Sequence, residues 1–125
     1  MRPNILVLDD SKTVRQLVKK FLAGYDCQVD ESNNGFNGIF AMERRLPDLL
    51  LIDVVMPIMD GVQLLTMLKS KDELKTIPVI MLTATTDKVD LPIIAQLGVQ
   101  GIIQKPFTEA KLVETVLSVL PLKKA

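Results

Sequence analysis

Apolar positions along the chain fall into two kinds of segment that alternate. Short, nearly uninterrupted apolar runs occupy residues 5–8, 49–52 and 78–82, each ended by a polar residue. Runs of four or five apolar residues bounded by turn formers read as strands buried on both faces, as in a parallel sheet covered by helices. Residues 27–31 form a shorter, more polar strand, expected near a sheet edge, and residues 100–104 complete a set of five. Between them the period changes to that of a helix. Val14, Leu17, Val18, Phe21 and Leu22 recur at i, i+3, i+4, i+7 and i+8, with Ser11 as N-cap and Gly24 as the stop. Phe36, Ile39 and Phe40 mark a second helix after the turn Asn33-Asn34-Gly35 and before Pro47. Val62, Leu65 and Leu68 mark a third after Asp60-Gly61, and residues 89–97 a fourth, with Pro92 in its first turn and Gly98 at its end. Thr108 caps a last helix carrying Leu112, Val113, Val116, Leu117 and Leu120 on one face. These apolar helix faces are expected to be core.

Five strands alternating with five helices predict an α/β fold: a doubly wound, five-stranded parallel sheet with right-handed crossovers and helices on both faces. The 125 residues suit one domain, 1–125, with its core between residues 4 and 120. There is no internal repeat, low-complexity tract or linker.

Composition removes several functions. Lys plus Arg equals Asp plus Glu, 15 each, which gives no electrostatic reason to expect direct nucleic-acid or anionic-membrane binding. No apolar stretch approaches the ~20 residues of a membrane span, and no segment resembles a signal peptide, so membrane insertion is not expected and a cytoplasmic location is. The single cysteine, Cys27, rules out an intramolecular disulfide and reads as a small core residue. Histidine is absent. Histidine-ligated zinc, Ser-His-Asp hydrolysis and Cys-His catalysis are therefore excluded unless another chain supplies the residue.

The polar residues that end the strands carry the candidate chemistry. The first strand ends in Asp9-Asp10, the third in Asp53, the fourth in Thr83 and the fifth in Lys105. In an open parallel sheet these ends share one edge, where ligands collect. Three carboxylates, a hydroxyl and an ammonium would converge there. Like charges ~4 Å apart cost about 4 kcal/mol at an effective dielectric of 20, so cations must offset them. Lys105 can neutralise one charge. Oxygen-only ligands suit a hard ion such as Mg2+, which keeps waters and accepts one or two carboxylates plus a phosphate oxygen. Asp53 then reads as a nucleophile that accepts a phosphoryl group, with Thr83 and Lys105 bonding its remaining oxygens.

These motifs, Asp9-Asp10, Asp53 followed by Met56-Pro57-Ile58-Met59-Asp60-Gly61, Thr83-Ala84 and Lys105-Pro106-Phe107, resemble the receiver domain of bacterial response regulators, the CheY-like family. The resemblance runs from Asn4 to about Leu120. It implies a flavodoxin-like strand order, 2-1-3-4-5. It implies a two-component signalling protein that takes a phosphoryl group onto Asp53 from a sensor histidine kinase or phosphotransfer protein. It implies a phosphoacceptor rather than an enzyme, one that would catalyse only its own phosphorylation and dephosphorylation. Asp10, Asp53 and the backbone carbonyl of Val55 would hold Mg2+, with Asp9 helping through water. The Lys105–Pro106 bond would be cis. Thr83 would move to the phosphoryl group and remodel the face of the fourth helix, fifth strand and fifth helix, which binds a downstream effector protein. The aromatic that takes part in this switch falls here on Ile102, which has neither ring nor hydroxyl. A smaller isoleucine shift, or the loop after Thr83, would have to carry the signal. The donor is expected to dock near Val14, Arg15 and Pro106.

A complete last helix and Met1 favour a stand-alone receiver, monomeric or weakly dimeric. The alternatives are a receiver cut from a longer regulator with an output domain and a Mg2+-dependent phosphatase working through an aspartyl phosphate. In that phosphatase the nucleophile lies in an Asp-x-Asp after the first strand; here the first two aspartates are adjacent.

Overall fold

A computed structural model describes residues 2–125. Met1, one ground for expecting a stand-alone domain, lies outside the described residues. The strands are β1 (Asn4–Leu8), β2 (Gln28–Ser32), β3 (Leu49–Asp53), β4 (Val79–Thr83) and β5 (Gly101–Gln104). The helices are α1 (Lys12–Leu22), α2 (Gly35–Arg44), α3 (Gly61–Lys69), α4 (Leu91–Leu97) and α5 (Glu109–Val119). All strands pair in parallel, in the order β2-β1-β3-β4-β5, which places the polar β2 at an edge as expected. No helix among the described residues is long and apolar enough to cross a membrane.

The two faces of the sheet bury separate cores. Leu6, Leu8, Leu50, Ile52, Val79 and Met81 pack with Leu64, Leu65 and Leu68 of α3 and Ile94 of α4. Ile5, Val7, Leu49, Leu51, Ile80, Leu82 and Ile103 pack with Val18 and Leu22 of α1 and Leu112 and Val116 of α5. Each central strand alternates strictly between these clusters, as the two-residue period of a strand requires. Cys27 is buried immediately before β2. Met56 is buried and Met59 packs against the first cluster, so both act as packing.

The helix starts follow local chemistry. The hydroxyl of Ser11 accepts from Val14 N at 3.3 Å and the Asn34 side chain accepts from Asn37 N at 2.8 Å. Asp60 and Gln63 form a reciprocal capping box at α3, with bonds of 2.8 and 3.0 Å. Thr108 caps α5 through Lys111 N.

Two expectations need correction. Phe36 and Phe40 are not core: both are about half exposed, and their rings meet edge to face with centroids 5.3 Å apart. The buried side of α2 is Gly35, Gly38 and Met42 instead. A side chain at Gly38 would collide with Leu8, so α2 lies against the sheet at glycine distance and its aromatics turn outward. The fourth helix also begins later than expected. Residues 87–89 form a 3-10 turn with Val89 almost fully exposed, and α4 starts at Leu91 with Pro92 in its first turn. A feature absent from the sequence pattern is a short strap. Lys124 bridges Tyr25, Asp26 N donates to Lys123 O at 2.7 Å, and Leu122 packs into the second cluster.

Candidate functional site

The strand register brings the predicted residues together. Leu8 pairs with Ile52, Asp53 with Leu82, and Thr83 with Gln104. Asp9, Asp53 and Lys105 thus sit at or one step beyond the carboxyl ends of β1, β3 and β5. Each lies two residues after one that points into the α1–α5 cluster (Val7, Leu51 and Ile103). Alternation therefore turns all three to that side. Thr83 follows Met81 by two and belongs to the opposite side.

The ammonium of Lys105 links the two buried carboxylates, at 2.9 Å from Asp53 Oδ1 and 3.3 Å from Asp9 Oδ2. It touches two carboxylates rather than the single one expected. Asp9 is fully buried, Asp53 is 3% exposed, and Asp10 is exposed at the mouth. Burial pushes the Asp53 carboxyl up to about 6; the Lys105 hydrogen bond opposes this and the charge of Asp9 adds to it. Burial also works against the Lys105 ammonium, but the hydrogen bond it donates to Asp53 and the charge of Asp9 outweigh this, and its pKa is raised. Asp53 is thus mostly ionised at neutral pH, at an energetic cost.

The surroundings hold this arrangement. Ser11 N donates to Asp9 Oδ1 at 2.8 Å, and Asp9 N donates to Ser32 O at 3.1 Å. Arg15 donates to the Asp9 carbonyl at 2.6 Å and to Glu31 at 2.9 Å, while Lys19 reaches the other Glu31 oxygen at 2.7 Å. Lys19 first, and Arg15 with it, hold the Glu31 carboxyl below its ordinary range. Behind Asp53, any side chain at Gly61 would collide with the Asp53 carbonyl, and Gly61 N donates to Val54 O at 2.8 Å. In the same loop Ile58 is 79% exposed and takes φ 71°, a left-handed conformation that is strained for a β-branched residue.

The remaining predicted residues fall around this centre. Thr83 is buried at the end of β4, and its carbonyl accepts from Lys105 N at 2.6 Å. The Lys105–Pro106 bond is cis. Val55 is 61% exposed beside the mouth. Ile102 is 40% exposed on β5, paired with Met81, and like Val89 and Ile93 it is a large apolar side chain left exposed. Val14 is half-buried, Pro106 is exposed, and Arg15 is largely occupied as a brace between α1, β1 and β2. Nothing in the residue pattern signals the Asp9 half of that brace, because its acceptor is a backbone carbonyl.

The donor set fits a hard divalent cation. One carboxylate oxygen from each of Asp9, Asp10 and Asp53 lies within 4.8 Å of the others. Lys105 offsets only part of three negative charges, and among the described residues no histidine or cysteine joins the cluster. That balance favours Mg2+ over a transition metal.

The model of the response regulator receiver domain matches residues 5–117. The chain belongs to this family. Chemotaxis protein CheY-3 of Vibrio cholerae is 37% identical over 112 residues, covering 88% of this chain and 85% of that protein. Transcription factor SKN7 of Candida albicans is 37% identical over 109 residues, 87% of this chain but only 19% of that protein. Among solved structures, the signal receiver domain of a histidine kinase from Syntrophus aciditrophicus superposes with a TM-score of 0.86 at 34% identity, over 94% of this chain and 89% of that one. Receiver domains thus occur at nearly this length and as parts of much longer proteins, and the strand order expected from the resemblance is the one observed.

Proposed function

We propose that this receiver domain accepts a phosphoryl group on Asp53 in the presence of Mg2+ and thereby changes which partner it binds. The observation that carries the reading is the single ammonium of Lys105 shared between two buried carboxylates, with a third at the mouth. A carboxylate oxygen of Asp53 attacks the phosphorus of a donor phosphohistidine. The P–N bond breaks, its electron pair returns to the imidazole, which takes a proton, and an acyl phosphate forms. The 125 residues contain no histidine, so the donor imidazole lies outside them. Asp10, Asp53 and the backbone carbonyl of Val55 would hold Mg2+, with Asp9 acting through water. The ion supplies charge neutralisation for the incoming phosphoryl oxygens. Lys105 then exchanges its bond to Asp53 for one to a phosphoryl oxygen, and Thr83 offers its hydroxyl to another.

The donor is a sensor histidine kinase or phosphotransfer protein that approaches over Val14 and Pro106. The effector meets the face of α4, β5 and α5, where Ile102 replaces an aromatic switch. The domain acts as a phosphoacceptor, with no turnover of outside substrates, in the cytoplasm. Similarity to a chemotaxis protein of nearly this length supports a stand-alone regulator, monomeric or weakly dimeric. The test is phosphorus NMR of the protein with acetyl phosphate and Mg2+. An acyl-phosphate resonance that decays after EDTA is the expected result. Steady hydrolysis of unrelated phosphoesters without such a species would instead mark a phosphatase.

A further inference from the structure

The peptide unit between Thr83 and Ala84 is held at both ends. Its carbonyl, Thr83 O, accepts from Lys105 N at 2.6 Å. Its amide, Ala84 N, donates to the Asp87 carboxylate at 2.7 Å. The Asp87 backbone closes the ring, donating to Ala84 O at 3.1 Å. Asp87 is 5% exposed, one of only a few buried acids among the described residues. Unlike Asp9 and Asp53 it lies outside the acidic cluster and takes no part in the chemistry described above. A buried carboxylate at this position needs a purpose, and its donor is the amide that follows Thr83.

Thr83 lies on the opposite side of its strand from Asp53, and the Lys105 ammonium bonds Asp9 and Asp53. For the Thr83 hydroxyl to reach a phosphoryl group on Asp53, the Thr83–Ala84 peptide must reorient. The Lys105 end is main chain fixed by the sheet. The Asp87 end is a side chain three residues away at the start of a 3-10 turn, flanked by the exposed Thr85 and Thr86. It is the end that can yield.

We propose that Asp87 is a positioning residue that latches Thr83 in its resting place, so that engagement of a phosphoryl group is opposed by the Asp87–Ala84 hydrogen bond. The inference rests on the phosphoacceptor reading above. A ligand that favours one of two states binds more tightly when the other is weakened. A hydrogen bond to a charged acceptor has enough free energy to change binding by about tenfold.

The test compares wild type, Asp87→Asn and Asp87→Ala by amide NMR, titrating first Mg2+ and then beryllofluoride, an acyl-phosphate mimic, at saturating Mg2+. In wild type the Ala84 amide proton should lie downfield with Mg2+ alone and move upfield as beryllofluoride binds. Asp87→Ala should show the upfield position from the start and bind beryllofluoride about tenfold more tightly. Asp87→Asn, which keeps a neutral acceptor, should fall between. Mg2+ affinity should be unchanged in all three, whereas a merely structural role would weaken binding or leave it alone. Equal or weaker beryllofluoride binding by both variants, with wild type responding, overturns the latch alone. No response of wild type to beryllofluoride overturns the phosphoacceptor reading and the latch with it.

Discussion

Asp53→Asn should make the resting domain more stable at neutral pH, although it removes a charged hydrogen bond to Lys105. Burial raises the Asp53 carboxyl from its ordinary 3.8 to about 6. That difference is about two pKa units, and at 1.36 kcal/mol each the ionised side chain costs the fold about 3 kcal/mol at pH 7 or above. The sign follows from proton binding. The native state holds the Asp53 proton more tightly than the unfolded chain. The cost is absent well below pH 3.8, where both states are protonated, grows between 3.8 and about 6, and is complete above that. Asparagine stays neutral throughout and still offers an oxygen to Lys105, which also keeps Asp9. The assay is urea unfolding of both proteins without metal at pH 4 and pH 7.5. The variant should gain about 2–3 kcal/mol at pH 7.5 and almost nothing at pH 4. Mg2+ should close the gap by stabilising wild type, by about 2.7 kcal/mol at a hundredfold excess over its dissociation constant. A pH-independent difference, or a wild type that is the more stable protein at pH 7.5 without metal, would refute the assignment of Asp53 as a carboxylate held ionised against burial.

Other consequences are smaller or more local. Lys105→Ala leaves two buried carboxylates without their ammonium and should lose about 3–5 kcal/mol at pH 7, partly restored by Mg2+; it should still take up phosphate slowly from acetyl phosphate but fail to switch, and normal partner binding would contradict the role of the lysine. Gly61→Ala forces a methyl group into the Asp53 carbonyl and should cost more than about 2 kcal/mol in urea unfolding; a loss below about 0.5 kcal/mol would show that the loop relaxes freely. Ile58→Gly relieves a left-handed β-branched residue that is almost fully exposed and should gain up to about 1 kcal/mol, read from the same unfolding curves, where a loss would mean that the side chain packs.

The buried strands were the most legible part of the chain. The apolar runs around Val7, Leu51 and Ile80 match β1, β3 and β4 to within one residue at each end, because strands covered on both faces must be apolar throughout. Strand order was a different matter. Nothing in the runs distinguishes one central strand from another, and the order came from the family resemblance. The buried face of α2 is not legible in the sequence because its contact with the sheet is made by Gly35 and Gly38, which carry no apolar signal, while Phe36 and Phe40 carry a strong one and face outward. The site residues Asp9, Asp53, Thr83 and Lys105 were readable as the polar residues that interrupt buried strands. What supports them was not. Besides its ion pair with Glu31, Arg15 binds a backbone carbonyl; Asp87 binds a backbone amide and Lys124 a neighbouring main chain, and these main-chain partners have no side-chain signature. The sharing of Lys105 between two carboxylates depends on a register that residue identity alone does not fix.

The central claim, that Asp53 is a phosphoryl acceptor organised by Mg2+ and Lys105, is tested most directly by intact mass. The protein would be incubated with acetyl phosphate and Mg2+, beside Asp53→Ala treated identically. The account predicts a single labile phosphoryl adduct on wild type, absent from the variant and prevented by EDTA. An adduct that persists in Asp53→Ala, or a wild type that binds Mg2+ yet gains no mass, would contradict it.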